Sequence, residues 1–126
     1  KDFQQLLLVK KFIESNFKSK IIPCKTIRDK NRLALSSRNL LLNKKNLIKA
    51  GKISKELISF KKKLSKKNFT NKIIRLKKNE LEKFYGIKIE YLEVRNEKNL
   101  QLSKKIKNSR IFLAYYLNDI RLIDNF

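Results

Sequence analysis

Apolar positions along this chain change rhythm several times, and each change marks a predicted element. From Asp2 to Asn16 they fall at Phe3, Leu6, Leu7 and Ile13, with Phe17 just beyond, close to the 3.6-residue period of an amphipathic helix. Asp2, with Gln5 three residues on, resembles a capping box at its start. Ile21 and Ile22 then predict a short apolar strand ending near Pro23 and Cys24. Lys25 to Arg32 is polar and irregular, Leu33 to Leu35 is a short apolar link, and Ser36-Ser37-Arg38-Asn39 reads as a polar turn. Asn43 is a good cap for a second helix, because Leu47, Ile48, Ala50, Ile53, Leu57, Ile58, Phe60 and Leu64 recur at helical spacing after it. A third helix is expected to start near Asn68 or Thr70, to present Ile73, Ile74, Leu76, Leu81 and Phe84, and to stop at Gly86. The period then drops to two. Ile87, Ile89, Tyr91 and Glu93 alternate with Lys88, Glu90, Leu92 and Val94, which predicts a strand, and Asn96 to Asn99 is a turn. Arg110 to Leu117, rich in aromatic and β-branched residues, is a second strand of this region. Asn118-Asp119 turns it into a hairpin partner over Ile120 to Ile123.

Helix, strand, two helices, then about three antiparallel strands is an α+β order. At 126 residues there is room for one small domain with a modest core, and 41% hydrophobic residues is too rich for a disordered chain. No apolar run reaches the ~20 residues of a membrane-spanning helix. The longest, Ile111 to Leu117, has the length of a buried strand. The single cysteine, Cys24, excludes an internal disulfide and fits a reducing compartment. Lys1 leads straight into a capped helix, so no secretory signal is read. Methionine is absent, so the chain reads as a piece of something longer.

The charge has two readings. With 33 Lys+Arg against 11 Asp+Glu, a net +22, a nucleic-acid binder is one of them. The other is codon bias. Lysine supplies 26 of the 33 basic residues, Asn, Ile, Leu and Phe are plentiful, and Gly and Pro are scarce, as in a genome drifting toward A and T. The lysines are densest over Lys44 to Lys83 on what should be solvated helix faces, where only Phe60 and Phe69 are available to stack on bases. Bias explains both facts, and such a charge predicts non-specific polyanion binding.

Histidine is absent, which removes His-based acid–base catalysis and His metal sites from this chain alone. Three local features suit an anionic nucleotide. Lys1 and Asp2 sit at a helix amino terminus, where N–H groups point outward. Ser36, Ser37 and Arg38 put two hydroxyls beside a guanidinium. Thr26, Ile27 and Arg28 follow a predicted strand end. Each has a plainer alternative, in which Asp2 only caps and Ser36 to Asn39 is a helix cap with a surface arginine.

Lys1-Asp2-Phe3-Gln4-Gln5-Leu6 resembles the K-D-x-Q-Q motif of the pantothenate synthetase (pantoate–β-alanine ligase) family. Thr26-Ile27-Arg28-Asp29 followed by Leu33-Ala34-Leu35-Ser36-Ser37-Arg38-Asn39 is similar to its T-V-R-E…G-L-A-L/M-S-S-R-N block. Tyr91-Leu92-Glu93-Val94 resembles its Y-x-E-V strand, and Arg121-Leu122-Ile123-Asp124-Asn125 its closing R-L-I-D-N. Four blocks in order, from residue 1 to residue 125, make the resemblance specific.

The resemblance implies a cytoplasmic, ATP-dependent ligase. Pantoate attacks the α-phosphorus of ATP with Mg²⁺ present, and β-alanine then attacks the pantoyl adenylate. Residues 1–24 are expected to end a Rossmann-like nucleotidyltransferase domain, and residues 25–126 to form the carboxy-terminal domain that closes over the active site. By the same resemblance Lys1 contacts the ATP phosphates, Asp2 the ribose, and Gln5 pantoate. The backbone at Ile27 meets the adenine edge. Leu35, Ser36, Ser37 and Arg38 stand where the family clamps ATP, and Lys1, Ser36, Ser37 and Arg38 carry the catalytic role. No metal ligand is expected from the chain, because the ATP phosphates hold Mg²⁺. The intact enzyme is expected to be a homodimer, with no specific nucleic acid or membrane partner.

Three departures stand out. Arg32 replaces the glycine before L-A-L, which strains the loop if φ is positive there. Pro23-Cys24-Lys25 replaces the usual G-V-P. The family's H-x-G-H histidines have no counterpart in the chain, so it is expected to be inactive alone. An inactive relic of the enzyme is the remaining alternative, with Arg32 its best support.

Overall fold

Alternating apolar residues at the end of the chain pair into one antiparallel sheet, β1 (Lys88–Asn96), β2 (Ser109–Leu117) and β3 (Ile120–Asn125), in the order β1-β2-β3. The computed structural model describes residues 1–64 and 69–126. The strands follow helix α1 (Phe3–Asn16), a 3-10 segment (Ser37–Leu41), α2 (Lys44–Leu64) and α3 (Asn71–Tyr85). This is the expected α+β fold.

The core forms because α2 and α3 cover one face of the sheet. Ile53 and Leu57 of α2 and Leu81 of α3 are fully buried, and they meet Ile111, Leu113, Tyr115 and Leu117 on the inward side of β2. Each large aliphatic side chain so buried contributes about 1.5–3 kcal/mol. β2 is the central strand and is buried on both faces. Phe112 points away from the helices and is covered by Phe3 of α1, with ring centroids 6.1 Å apart. In the β2–β3 hairpin Leu117 pairs with Ile120, and Asn118 takes φ 53°, which its short polar side chain tolerates.

Boundaries follow local chemistry. Asp2 accepts from the Gln5 amide at 3.3 Å, so the first cap is real, and Asn43 accepts from the Asn46 amide at 2.9 Å to start α2. Gly86 closes α3 with φ 59°, the left-handed geometry in which glycine carries no Cβ penalty. Thr70 precedes α3 directly; the other expected start, Asn68, lies outside the described residues.

Four expectations need correction. No strand forms at Ile21 and Ile22: Ile22 is exposed, and among the described residues no neighbouring strand offers hydrogen bonds to it. The polar turn Ser36 to Asn39 is the start of the 3-10 segment instead, with Ser36 capping it through the Arg38 amide at 3.3 Å. The strict two-residue alternation expected over β1 is broken: Ile89, Leu92 and Val94 all face the core, because a bulge between Ile89 and Tyr91 inserts one residue. On α3 the inward stripe runs through Ile74, Leu81 and half-buried Tyr85, so Ile73, Leu76 and Phe84 lie on the outer side.

Helices α2 and α3 are clamped by charge as well as by apolar contact. Lys77 donates to Glu56, and also to Glu80 at 3.0 Å, while the Tyr85 hydroxyl donates to Glu56 at 2.9 Å. Burial pushes the Glu56 carboxyl up, but the hydrogen bonds from Lys77 and Tyr85 outweigh it and hold the group below its ordinary 4.5. A depressed carboxylate stabilises the fold fully above its unfolded value and loses that contribution as pH falls through the folded one. Glu56→Gln is therefore expected to flatten the acid limb of the melting-temperature–pH curve below about pH 4.5. Burial and then Glu56 push the Tyr85 phenol up to about 12, so its ultraviolet titration should move down in the same variant. An unchanged acid limb together with an unchanged phenol would remove Glu56 from the clamp.

Candidate functional site

Ile27 to Leu35 folds back on itself. Arg28 bridges Ala34, and the Leu35 amide donates to Ile27 O at 3.0 Å. Asp29 closes the turn, its Oδ1 accepting from the amides of Asn31 at 2.8 Å and Leu33 at 2.9 Å. The turn lies flush against α2 at Gly51, where an added Cβ would stand 2.6 Å from Asn31 Cβ and 3.0 Å from its carbonyl oxygen. Arg32 does take φ 70°, so the strain expected of its Cβ is present. The turn holds nonetheless, through Arg32 N to Asp29 O and Arg28 Nη1 to Arg32 O, both 2.9 Å. Relief of that strain outweighs the extra entropy of an unfolded glycine, so Arg32→Gly is expected to raise unfolding free energy by about 0.5–1 kcal/mol in urea. A loss of stability would show the arginine to be at ease there.

Arg28 anchors this hairpin to β3. Its Nη1 and Nη2 reach the two carboxylate oxygens of Asp124 at 2.7 and 2.9 Å, and Nη2 also donates to Asn125 O at 3.0 Å. Its guanidinium carbon lies 4.9 Å from the centre of the Phe126 ring. Burial pushes the Asp124 carboxyl up against the pull of Arg28 and the Asn125 amide. Arg28 is thus a structural tie, its guanidinium engaged by Asp124, Asn125 and Arg32.

With the hairpin tied to β3, residues far apart in sequence converge. Lys1 Nζ is 3.5 Å from Leu35 O, and Asn125 Nδ2 donates to Lys1 O. Arg38 Nη1 reaches Arg121 O at 3.4 Å, which keeps the guanidinium over the outer end of β3. Lys1, Ser36 and Arg38 line one small depression with Asp124. Asp2 opens instead, with Lys1, onto a cavity of about 1170 Å³ between α1, residues 22–26 and the end of α2. Lys61 stands in that cavity's wall, where burial and then Arg110 lower the pKa of its ammonium. Ser37, Ile27, Leu35 and Gln5 are exposed and line neither space. Two cations and a hydroxyl on one side, with backbone N–H groups at the start of α1, suit a polyphosphate. Among the described residues no group of three acidic, cysteine or histidine side chains is placed to hold a metal ion.

Sequence reasoning missed the tie of Arg28 to Asp124 and the contact of Asn125 with Lys1. The residues were in view as parts of motifs, but a pairing across 96 or 124 positions leaves no periodic trace.

α1 is the least covered of the three α-helices. None of its residues is fully buried, and Leu8 and Phe12 are 66% and 61% exposed. Phe60 is half-buried beneath Lys77 and Phe69 is buried in the core, so neither presents a face for base stacking. No helix among the described residues is long and apolar enough to cross a membrane.

A family model described as pantoate-beta-alanine ligase matches residues 1–126. A pantothenate synthetase of Flavobacterium psychrophilum is 37% identical over 129 residues, covering 99% of this chain and 45% of the relative. One from Clostridium botulinum is 40% identical over 130 residues, covering 100% of this chain and 46% of its own length. The crystal structure of pantothenate synthetase from Thermus thermophilus superposes with a TM-score of 0.86 at 26% identity, covering 100% of this chain and 46% of that one. The pantoate-beta-alanine ligase of Francisella tularensis, solved with β-γ ATP and β-alanine, gives 0.70 at 33% identity, covering 100% of this chain and 40% of that one. The chain thus spans about half the length of the curated relatives it matches.

Proposed function

Because this chain belongs to the pantoate-beta-alanine ligase family, we propose that it serves the ATP-dependent condensation of pantoate with β-alanine as part of a longer enzyme. The observation that carries this reading is the approach of Lys1 Nζ to Leu35 O across 34 residues, which gathers the start of α1 with Ser36 and Arg38.

The chemistry asked of these residues is electrostatic. Pantoate's carboxylate attacks the α-phosphorus of ATP, and pyrophosphate leaves as negative charge grows on it. Lys1 and Arg38 neutralise that charge, and Ser36 and Ser37 donate to phosphate oxygens. Asp2 takes the ribose hydroxyls, and the backbone near Ile27 and Leu35 meets the nucleoside. Gln5, one turn into α1, holds pantoate for in-line attack. Mg²⁺ arrives on the ATP phosphates as part of the substrate. β-Alanine then displaces AMP from the pantoyl adenylate, giving pantothenate. The pair of ligands bound to the Francisella tularensis relative supports ATP and β-alanine as substrates.

Residues 1–24 complete a Rossmann-like domain and residues 25–126 form the domain that closes on it. The exposed Leu8 and Phe12 of α1 support this division, since apolar side chains in such a row are normally covered. The intact enzyme is a cytoplasmic homodimer with no specific nucleic-acid or membrane partner. Pantoate-dependent exchange of labelled pyrophosphate into ATP by the full-length enzyme tests the first half-reaction. Exchange that runs equally well without pantoate would refute it.

A further inference from the structure

Asn125 ends β3 in the R-L-I-D-N segment, to which the proposed chemistry assigns no role. It is buried, and its polar atoms are engaged. Its backbone amide donates to Asp124 Oδ1 at 2.7 Å, and its carbonyl accepts from Arg28 Nη2 at 3.0 Å. Arg110 Nη1 donates to Asn125 Oδ1 at 3.2 Å, and Asn125 Nδ2 donates to Lys1 O. A guanidinium can only donate, so Arg110 dictates the side of the amide that faces it and leaves the NH₂ for the Lys1 carbonyl. Arg110 is itself held in place. Its guanidinium carbon lies 4.5 Å from the centre of the Phe3 ring, and its Nε is 3.0 Å from Glu97 Oε1, an ion pair without hydrogen-bond alignment.

We infer that Asn125 is a positioning residue for Lys1, its amide fixing the Lys1 backbone so that the ammonium meets the phosphate site beside Ser36 and Arg38. This rests on the reading of Lys1 as a phosphate contact. The lysine side chain is a flexible four-carbon stem, so its ammonium is only as well placed as the backbone from which it swings. Catalytic contacts are sensitive to displacements of about 1 Å, which can cost on the order of 10²-fold in rate.

Asn125→Asp tests it sharply. The substitution preserves size and the oxygen facing Arg110, but sets a carboxylate oxygen against the Lys1 carbonyl. In the full-length enzyme, pantoate-dependent ATP–pyrophosphate exchange is measured for wild type, Asn125→Asp, Lys1→Ala and the double variant. The expected result is a roughly 10- to 100-fold fall in kcat for Asn125→Asp, with KM for ATP within about threefold. No further loss is expected in the Lys1→Ala background, since the effect runs through Lys1. An equal loss in both backgrounds, or an unchanged kcat, would overturn the positioning role while leaving Lys1 in the phosphate site. Normal exchange in Lys1→Ala alone would remove Lys1 from that site and the positioning role with it. Asn125→Ser, which shortens the reach to Lys1 without adding charge, is judged by the same cycle if the aspartate variant does not fold.

Discussion

Arg38→Ala and Lys1→Ala in the full-length enzyme are each expected to slow pantoate-dependent ATP–pyrophosphate exchange by about 10²–10³. Both cations stand beside Ser36 at the point where α1 meets the hairpin. Charge on the leaving pyrophosphate grows toward the transition state, so a contact to it strengthens there and its loss appears in kcat as well as KM. Gln5→Ala is expected to behave differently and weaken pantoate binding more than ATP binding. The competing account of Arg38 is local. Its 3.4 Å hydrogen bond to Arg121 O is exposed, as expected of a surface arginine following a capped turn. On that account Arg38→Ala changes exchange less than about threefold and stability by no more than about 0.5 kcal/mol. Exchange rates and melting temperatures of the three variants separate the two, and normal exchange in Arg38→Ala would end its assignment to phosphate.

Removing either partner of the Arg28–Asp124 pair is expected to destabilise the protein by about 3–5 kcal/mol, because the remaining charge is left buried and unpaired. The side chains are only 16% and 5% exposed, so water screens the pair little. Arg28 also donates to Asn125 O on β3 and to Arg32 O within its own hairpin, so its loss frees the hairpin from β3 and loosens the turn itself. Arg28→Met is the informative variant. Burial already pushes the Asp124 carboxyl up, and without Arg28 it rises further. A carboxyl whose folded pKa lies above its unfolded value binds a proton more tightly in the fold, so folding is favoured as pH falls. Arg28→Met is thus expected to be less destabilised at about pH 5 than at pH 8, and Arg28→Lys, which keeps the charge but not the fork, to lie between it and wild type. Urea unfolding at the two pH values checks both. A loss below about 1 kcal/mol for Arg28→Met would mean that the pair is not an anchor.

Local rules were sufficient for much of the fold. The caps at Asp2 and Asn43, the left-handed stop at Gly86 and the continuous apolar run of β2 act within a few residues, so the sequence alone determined where α1, α2 and the β2–β3 hairpin lie. The strain at Arg32 was legible only through the resemblance, which sets a glycine there; the positive φ itself is imposed by the turn. Other features were decided by neighbours that only the folded chain supplies. Ile21 and Ile22 carry strand propensity, but a strand exists only where another backbone pairs with it. The bulge at Ile89/Tyr91 set Leu92 and Val94 on the same side as Ile89, where strict alternation sets them opposite, because register is set against β2 rather than along β1. At the candidate site the sequence supplied the chemical groups and the family that uses them. The tertiary structure alone placed Lys1 beside Ser36 and Arg38, through Arg28, Asp124 and Asn125, since hydrogen bonds across 96 and 124 residues follow from the closing of the fold.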